Sequence, residues 1–474
     1  MTKALDVDIC VIGAGAGGLS VAAGAVQMGA SVVLVEKGKM GGDCLNYGCI
    51  PSKALLAAGH AAEAVRRARR FGVNASAAAI DPAGVYGHVR DTIAAIAPVD
   101  SVERFEGLGV KVIQAYGRFS GRRTVTADET RITARRIVVA TGSTPFVPPI
   151  AGLDGVPYLT NETLFDLDAV PEHLVIIGGG PIGVEMAQAH RHLGARVTVL
   201  EMASVLPNDD PELVGPLRRR LIEDGVDLRE GVTVTGVEKV DTGVAVAMSR
   251  DGAESRIEGT HVLVAAGRRP TVEGLDLDKA GIDFDGKGIK VNHRLRTTNR
   301  RVYAVGDVTG GHQFTHMASH HAGIVIRNIL FRLPSRAEAR VVPWVTYTAP
   351  ELAQVGPTEA EARRDGADVR VLRWPFADND RARTEGDIDG MVKVVVTPRG
   401  RIVGAGIVGP RAGELIQTWV LAIAEGVKIG AVAKMIVPYP TLGEASKRAA
   451  GSFFTPALFG ERTRRMVRFL RRFG

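Results

Sequence analysis

The sequence predicts an α/β protein in which one strand–turn–helix–strand unit occurs twice and an α+β segment follows. Two observations predict this fold. Near the N-terminus an apolar strand runs into a GxGxxG turn, a helical pattern follows, and a second strand ends in an acid; beyond residue 170 the same succession returns. The turn glycines and closing acids are Gly13, Gly15, Gly18 and Glu36 in the first copy, and Gly178, Gly180, Gly183 and Glu201 in the second.

The spacing within the two copies is the same. In each, the acid follows the first glycine by 23 residues, close to the ~20 expected where an acid binds the ribose of a dinucleotide. Glycines at these positions let the backbone approach a pyrophosphate at a helix N-terminus. A single GxGxxG is a weak signal, but here both strands, both helices and both acids agree. The repeat therefore predicts two Rossmann-like dinucleotide-binding domains.

Hydrophobic periodicity places the other elements in order. The two copies comprise strands at 8–13, 31–35, 174–177 and 197–200 and helices at 19–28 and 184–193. The first copy is followed by helical patterns at 54–70 and 81–107, short strands at 110–140 and a proline-rich linker after residue 144. The remaining elements are strands at 261–265, 301–305, 392–397 and 402–406 and helices from Thr315, at 413–425 and at 430–435. We expect four domains, 1–149, 150–272, 273–341 and 342–474, the last being an α+β domain.

Composition narrows the class of protein. With 474 residues, 45% hydrophobic and 23% charged, the chain has an ordinary globular composition. Three cysteines argue against a secreted disulfide framework. The first seven residues lack the apolar core of a signal peptide, and no uncharged apolar run reaches the ~18 residues of a spanning helix. We therefore expect a cytoplasmic, reducing compartment and no nucleic-acid partner.

Two of the three cysteines lie in one stretch, Gly41–Lys53, at Cys44 and Cys49. Pro51 suits the first turn of a helix, so Cys49 is expected at a helix N-terminus, where the dipole favours a thiolate. A purely structural disulfide that closes so short a loop would add little stability. A zinc site would need four ligands. We interpret the pair as redox-active.

No metal site is predicted. His312, His316 and His320 follow one another at intervals of four residues, but no carboxylate accompanies them to complete a site. The third cysteine, Cys10, lies on the first strand and is interpreted as a buried apolar residue.

Two dinucleotide folds with a CxxxxC pair resemble the class I pyridine nucleotide–disulfide oxidoreductases, a family that includes dihydrolipoamide dehydrogenase, glutathione reductase and mercuric reductase. The resemblance is carried by Gly41–Lys53, Thr141-Gly142, Gly267-Arg268 and Gly306-Asp307. It implies that the first copy binds FAD, that the second binds the nicotinamide cofactor, and that the last domain forms a homodimer and contributes to the partner's active site. The cofactor-binding residues it implies are Gly13, Gly15, Gly18, Glu36, Lys37, Gly42, Lys53, Thr141, Gly142, Gly178, Gly180, Gly183, Glu201, Gly267, Arg268, Asp307 and Thr315.

The resemblance also assigns roles at the redox centre. Cys49 takes the flavin-facing thiolate role, and Cys44 is the interchange thiol that meets the acceptor. Lys53 lies by the flavin and pairs with Glu185. Glu201 would repel a 2′-phosphate, and residues 202–207 contain no Arg or Lys, so NADH is favoured and NADPH stays possible.

The sequence departs from the family at the catalytic base. Where lipoamide dehydrogenase and glutathione reductase carry a histidine, this chain has Tyr439, although Glu444 is kept. A tyrosine of pKa ~10 is a poor base at neutral pH, and suits a hydrogen bond or a weak oxygen contact to a metal ion. Mercuric reductases also carry this tyrosine, but their C-terminal cysteine pair and the N-terminal metal-binding domain of many are not found here. Asp43 replaces the usual threonine and should raise the pKa of the Cys44 thiol.

The sequence is therefore compatible with more than one class of electron acceptor. The expected acceptor is a disulfide, a soft metal ion or a quinone-like compound, reached by electrons that pass from NADH through FAD, Cys49 and Cys44. The alternatives are a dihydrolipoamide dehydrogenase without its usual base, and a flavin-bearing redox sensor or membrane-docked partner protein.

The C-terminal tail, 461–474, holds six arginines and one glutamate, out of a net charge of +7 for the chain. On a helix, five of these arginines lie on one face and apolar side chains lie on another. This pattern is typical of a helix on an anionic membrane surface, here the inner face of the membrane. The alternative is that the apolar face packs in the dimer while the arginines are solvated.

Overall fold

A computed structural model of the chain describes residues 3–76, 78–337 and 341–473. Two compact units are present: residues 3–202 with 229–337, and residues 203–228 with 341–473. The finer division into four domains stays a prediction.

The strands, in chain order, are β1 Lys3–Ile12, β2 Val32–Glu36, β3 Lys111–Gln114, β4 Gly117–Gly121, β5 Thr124–Ala127, β6 Thr130–Val139, β7 Ser143–Pro145, β8 Tyr158–Leu159, β9 His173–Ile177, β10 Arg196–Glu201, β11 Asp227–Glu230, β12 Thr233–Val240, β13 Gly243–Arg250, β14 Ala253–Gly259, β15 His261–Val264, β16 Arg268–Pro270, β17 Phe284–Asp285, β18 Gly288–Ile289, β19 Val302–Ala304, β20 Pro343–Thr346, β21 Glu351–Val355, β22 Arg370–Pro375, β23 Met391–Val396 and β24 Ile402–Gly409.

The helices are α1 Ala16–Gln27, α2 Gly42–Asn46, α3 Cys49–Arg67, α4 Pro82–Ile96, α5 Val102–Gly107, α6 Pro181–His192, α7 Pro211–Glu223, α8 Leu277–Ala280, α9 Thr315–Leu330, α10 Glu359–Arg364, α11 Asp380–Glu385, α12 Ala412–Leu415, α13 Gln417–Ala424, α14 Ile429–Lys434, α15 Glu444–Ser452, α16 Thr455–Leu458 and α17 Glu461–Leu470.

The first unit contains two sheets built on the same plan. In one, the strand order is β3-β2-β1-β6-β5-β4, and β19 also pairs with β6; β1 is parallel to both its neighbours. In the other, β10, β9, β15 and β8 follow one another and are all parallel. In an open parallel sheet the ligand binds beyond the carboxyl ends of the strands, where the order reverses. Both predicted dinucleotide-binding folds are therefore confirmed.

Apolar side chains on the central strands explain why these sheets are buried. Residues 32–35 of β2 are all Val or Leu and are buried, and residues 9–12 of β1 are Ile, Cys, Val and Ile and are also buried, as expected for a parallel sheet covered on both faces. Helices α1 and α9 pack closely because α1 has small residues in the contact. A Cβ built on Gly24 would lie only 2.5 Å from Ile326 Cδ1.

The predicted helix at 81–107 is wrong as a single element. Helix α4 ends at Ile96, and Pro98 lies in a 3-10 turn, Ala97–Asp100, because a proline in a helix interior removes a hydrogen-bond donor and clashes with the preceding turn. Ser101 then caps α5, its Oγ accepting from the Arg104 N–H at 3.2 Å. The predicted helix at 413–425 is likewise two helices, α12 and α13, which meet at Ile416.

The second unit is an α+β structure. Its antiparallel sheet has the order β20-β21-β24-β23-β22, and helices α12 to α15 cover it around the buried Trp419. Lys393, on strand β23 between β24 and β22, is buried and paired with Asp210 at 2.7 Å and with Glu212 at 2.8 Å. Across the described residues, no helix is both long and apolar enough to cross a bilayer.

Candidate active site

The first glycine-rich turn is shaped by two glycines that admit no side chain. Gly13 has φ +105°, and a Cβ on it would lie 2.3 Å from the Ala140 carbonyl oxygen. A Cβ on Gly18 would lie 1.8 Å from the Gly13 oxygen. The middle glycine is different: a Cβ on Gly15 would be 3.9 Å from its nearest described neighbour, the Gly42 Cα.

The second turn repeats this geometry. Gly178 has φ +113° and a Cβ on it would be 2.4 Å from the Ala265 oxygen, while a Cβ on Gly183 would be 2.0 Å from the Gly178 oxygen. No described atom lies within 4 Å of a Cβ on Gly180. In both turns, therefore, the protein itself requires the first and third glycines, and the space in front of the second is left for a ligand.

The two acids close the turns in the same way. Glu36 Oε2 accepts from the Ala14 N–H at 2.6 Å, and Glu201 Oε2 accepts from the Gly179 N–H at 2.6 Å. Each carboxylate is thereby held at the carboxyl end of its strand, beside the N-terminus of α1 or α6. Lys37, the residue after Glu36, is exposed and lies over the Tyr116 ring, 5.4 Å from its centroid.

The cysteine pair lies at a junction of two helices. Cys44 is in α2, and Cys49 is the first residue of α3, as predicted; Pro51 falls in the first turn, whose N–H groups have no helical acceptor. Gly42, at φ +62°, begins α2 so close to the first turn that a Cβ there would be 2.7 Å from the Gly15 Cα. The cysteine pair is therefore fixed against the first glycine-rich turn.

Cys44 and Cys49 are present as thiols within hydrogen-bonding reach of each other, and Cys49 Sγ lies 3.2 Å from Thr315 Oγ1 at the start of α9. The hydrogen bond from Cys44, the Thr315 hydroxyl and the charge of Lys53 lower the pKa of Cys49 to about 6. The same hydrogen bond, followed by burial, raises the pKa of Cys44. The pair is thus polarised into a thiolate at 49 and a thiol at 44.

Lys53 and Glu185 form an ion pair, with 2.8 Å between Lys53 Nζ and Glu185 Oε2. Lys53 lies one turn beyond Cys49 on α3, and Glu185 is buried on α6, the helix of the second glycine-rich turn. The predicted pairing is present in the structure. It joins α3, which begins at Cys49, to α6, which follows the second glycine-rich turn.

The remaining predicted cofactor residues of the first unit lie at strand ends and turns. Thr141 Oγ1 donates to the Thr271 carbonyl at 2.7 Å. Gly142 and Gly267 have φ +66° and +124°, and a Cβ placed on either would meet no described atom within 4 Å. Burial raises the pKa of Asp307, against the hydrogen bond donated by Ser143 Oγ to its Oδ2 at 2.7 Å.

Tyr439 and Glu444 lie in the second unit. Tyr439 is exposed and its hydroxyl donates to Asp380 Oδ2 at 3.1 Å, a bond that raises the pKa of the phenol. Glu444 begins α15. These two residues are placed together, whereas their predicted action on the cysteines of a partner chain stays a prediction.

The histidines near residue 315, which were not assigned to a metal site, contact an aromatic ring or the backbone. His312 and His316 each stack on Phe314, at centroid distances of 5.9 and 5.2 Å. His321 is buried, and its Nδ1 accepts from the Gly306 N–H at 3.2 Å.

Sequence reasoning missed three polar residues. Asn161 is buried and donates to Asp43 and to the Tyr47 carbonyl; Ser143 bridges Arg268 and Asp307; Asp380 holds Tyr439. Each lies far along the chain from its partner, so no local spacing revealed the contact.

Fold and site together define a flavin-type dithiol–disulfide oxidoreductase with two dinucleotide sites. The sequence matches the family described as pyridine nucleotide-disulphide oxidoreductase over residues 7–322, and the dimerisation domain of that family over residues 342–450. The chain belongs to the pyridine nucleotide-disulphide oxidoreductase family, whose members are FAD-dependent enzymes that use NAD(P)H. The dimerisation domain supports a homodimer.

Curated relatives carry two different names. The chain is 34% identical to a mercuric reductase of Bacillus cereus over 94% of this chain and 72% of that protein. It is 35% identical to a dihydrolipoyl dehydrogenase of Geobacillus stearothermophilus over 94% of this chain and 96% of that protein.

Solved structures show the same fold. LpdA from Mycobacterium tuberculosis superposes with a TM-score of 0.86 at 28% identity, over 94% of this chain and 99% of that one. The Cu(II) complex of the HOCl-induced flavoprotein disulfide reductase RclA from Escherichia coli has a TM-score of 0.84 at 28% identity, over 93% and 99%.

The residues of the first site fit FAD. The open space before Gly15, the N-terminus of α1 and the carboxylate of Glu36 match a pyrophosphate and a ribose. When bound, FAD passes the two electrons of a nicotinamide hydride on to a disulfide. In the described structure the two cysteines lie at the junction of α2 and α3, Lys53 is paired with Glu185, and the pKa of the Cys44 thiol is raised.

Proposed function

We propose that this chain is an NADH-preferring flavoprotein reductase whose Cys44–Cys49 pair delivers electrons to a thiophilic acceptor, best matched by a soft metal ion. The observation that carries the proposal is the polarised pair itself: Cys49 at the N-terminus of α3, in contact with Cys44 and Thr315. A thiolate and a thiol side by side can form a disulfide, or bind a soft cation through two sulfur ligands.

The electron balance of the proposed cycle is simple. In the first half, the disulfide and NADH become Cys44 thiol, Cys49 thiolate and NAD⁺, so that two electrons and one proton enter the pair. In the second half, a divalent soft ion takes the two electrons, the disulfide forms again, and the Cys44 proton leaves to water.

The preference for a metal ion over a dithiol substrate rests on Tyr439. Oxidation of a dihydrolipoamide-type dithiol needs a base, and the phenol is a worse base here because its proton is donated to Asp380 and its pKa is raised. The phenol oxygen keeps its lone pairs, which suit a weak contact to a cation. Glu201 and the absence of Arg or Lys at 202–207 support NADH.

An acceptor panel tests the proposal. The holoenzyme is assayed for oxidation of NADH and of NADPH with Hg(II), Cu(II), oxidised lipoamide, glutathione disulfide and a quinone. We expect the highest kcat/KM with NADH and a soft metal ion, and loss of that activity in Cys44→Ser and Cys49→Ser. The matched control is Cys10→Ala, which changes the buried third cysteine on β1.

Two results would change the assignment. Turnover of lipoamide at the highest rate would support a dihydrolipoamide dehydrogenase. An absence of turnover with every acceptor, together with a redox-dependent protein partner, would support a sensor.

We further propose that α17 docks on an anionic bilayer. Its apolar side chains Met466, Val467, Phe469 and Leu470 are all exposed, as are its arginines, and Phe473 packs edge-on against Phe469 at 5.2 Å. The segment that matches the dimerisation domain ends at residue 450, before this helix. Arginines near an anionic surface contribute about 1 kcal/mol each, so charge and apolar burial act together.

Vesicle co-sedimentation of the full chain tests the docking. We expect binding to phosphatidylserine-containing vesicles and none to phosphatidylcholine alone. Two variants separate the contributions: Phe469→Ser with Leu470→Ser, and Arg464→Gln with Arg465→Gln and Arg468→Gln. If the protein binds neither kind of vesicle at low salt, and the variant Phe469→Ser with Leu470→Ser no longer forms a dimer, α17 packs on a second copy of the chain.

A further inference from the structure

Asp43, the residue before Cys44, has its carboxylate held at Oδ1 by two side chains, while Oδ2 lies close to Gly48. Oδ1 forms an ion pair with Arg268 Nη2 at 3.1 Å and accepts a hydrogen bond from Asn161 Nδ2 at 3.0 Å. Oδ2 lies against Gly48, the residue before Cys49, where a Cβ would approach it to 2.9 Å. One side chain therefore touches both ends of the segment between the two cysteines.

Asn161 holds the same segment from outside. It is buried, and its side-chain amide also donates to the Tyr47 carbonyl at 3.1 Å, while the Tyr47 N–H donates to the Asp43 carbonyl at 2.8 Å. The loop between α2 and α3 is thereby tied to Asp43 through main chain and side chain together.

Arg268 cannot fully neutralise Asp43, because it is shared. Its Nε donates to Ser143 Oγ at 2.8 Å, and Ser143 Oγ in turn donates to Asp307 Oδ2 at 2.7 Å. One guanidinium thus serves two carboxylates. The other cation near the pair, Lys53, is bound to Glu185.

The positive and negative groups around the cysteines have opposite effects on the pKa values of the thiols. Lys53 on α3 favours the Cys49 thiolate, whereas Asp43 on α2 raises the pKa of both thiols. Thr315 on α9 adds an uncharged hydrogen bond to Cys49. Of the remaining charges, Arg268 is paired with Asp43, Glu185 is paired with Lys53, and Asp307 is linked to Arg268 through Ser143.

We propose that Asp43, clamped by Arg268 and Asn161, is a positioning residue that makes the Cys44–Cys49 pair a stronger reductant. Reduction of the disulfide takes up two electrons and one proton, and the product carries one negative charge. A neighbouring carboxylate opposes that charge, so it disfavours the reduced pair relative to the disulfide. The inference rests on the proposed redox role of the two cysteines.

The test uses holoenzyme reduced anaerobically with one equivalent of NADH. Iodoacetamide alkylation of each cysteine is followed against pH by peptide mass analysis, and the dithiol–disulfide equilibrium is measured against dithiothreitol. In Asp43→Asn we expect the alkylation midpoints to fall, and the equilibrium to move about tenfold toward the dithiol, which is about 30 mV for a two-electron couple.

Three further variants separate charge from shape. Asp43→Glu keeps the charge and should retain most of the wild-type equilibrium, and Asp43→Thr should resemble Asp43→Asn. Asn161→Ala keeps the charge but frees the loop, so it should slow disulfide formation with a smaller change in the midpoints. Asp128→Asn, an exposed carboxylate in a turn of the same unit, is the matched control and should match wild type.

Failure of this inference can be told from failure of the proposed function. If Asp43→Asn shows wild-type midpoints and equilibrium while Cys44→Ser and Cys49→Ser are inactive, Asp43 has no such role although the pair is redox-active. If the two serine variants turn over the acceptor at the wild-type rate, the proposed function itself is wrong. Thermal unfolding of each variant checks that the fold is kept.

Discussion

Lys53 Nζ lies 2.8 Å from Glu185 Oε2, and this ion pair links the helix that begins at Cys49 to the helix of the second glycine-rich turn. Glu185 is buried, whereas the Lys53 side chain is 37% exposed. A carboxylate that loses its cation in such a site is left costly to ionise. The pair therefore couples stability of the first unit to the geometry of the redox centre.

We predict that Lys53→Met lowers the free energy of unfolding by about 1–3 kcal/mol and slows reduction of the holoenzyme by NADH. The double variant Lys53→Met/Glu185→Leu should regain part of the stability, because no buried charge is then left. Chemical unfolding and stopped-flow reduction measure the two effects. The control is Lys287→Met, an exposed lysine in the turn between β17 and β18. Additive losses in the double variant would mean that the two side chains do not interact.

The two kinds of glycine in the turns should respond differently to substitution. Gly18→Ala would put a Cβ 1.8 Å from a backbone oxygen, so it should destabilise the protein by about 1–3 kcal/mol or prevent folding. Gly15→Ala meets no close neighbour, since the nearest described atom is 3.9 Å away. It should leave the melting temperature of the apoprotein unchanged and reduce FAD occupancy.

The second turn supplies an independent comparison. Gly180→Ala should raise the KM for NADH with FAD content unchanged, because that glycine belongs to the other site. Occupancy is read from the flavin absorbance of the purified protein. If Gly15→Ala binds FAD as wild type does, the open space before that residue is not the pyrophosphate site.

A histidine at position 439 should supply the base that oxidation of a dithiol needs. Tyr439→His places a group of pKa ~6.5 in a chain that keeps Glu444, and general-base catalysis typically contributes about 10²-fold or more. We expect dihydrolipoamide oxidation to rise by about that factor, while Tyr439→Phe shows no rise. An unchanged rate in Tyr439→His would show that something other than the base excludes lipoamide.

The pH dependence of the reduced enzyme follows from Cys49. Its pKa is lowered to about 6 from an ordinary value of 9.0, first by the hydrogen bond from Cys44. A lowered pKa favours folding where the group is ionised, so this contribution is complete above pH ~9 and is lost as the pH falls through 6. The melting temperature of the reduced enzyme, relative to Cys49→Ser, should therefore rise between pH 6 and 9. A constant difference over this range would contradict the lowered pKa.

Features set by residues close together in the sequence could be predicted, whereas contacts between residues far apart in the sequence could not. Both dinucleotide folds and the position of Cys49 at a helix start were predictable, because glycine spacing, strand polarity and Pro51 act locally. Pro98 is a local signal for a break in the helix predicted at 81–107, but the hydrophobic periodicity on both sides of it favoured one continuous helix. Asn161 and Asp380 could not be found in this way, because an amide or a carboxylate in a loop has no periodic pattern and its contact forms only on folding.

The most direct test of the central claim is an anaerobic titration of the oxidised holoenzyme with NADH, with accessible thiols counted at each step. If Cys44 and Cys49 form the redox pair, the first equivalent of NADH should produce two new thiols per chain, at Cys44 and Cys49, while Cys10 stays unchanged. No new thiols should appear in Cys44→Ser or Cys49→Ser. Consumption of NADH with reduction of FAD but no new thiols in the wild-type protein would contradict the account.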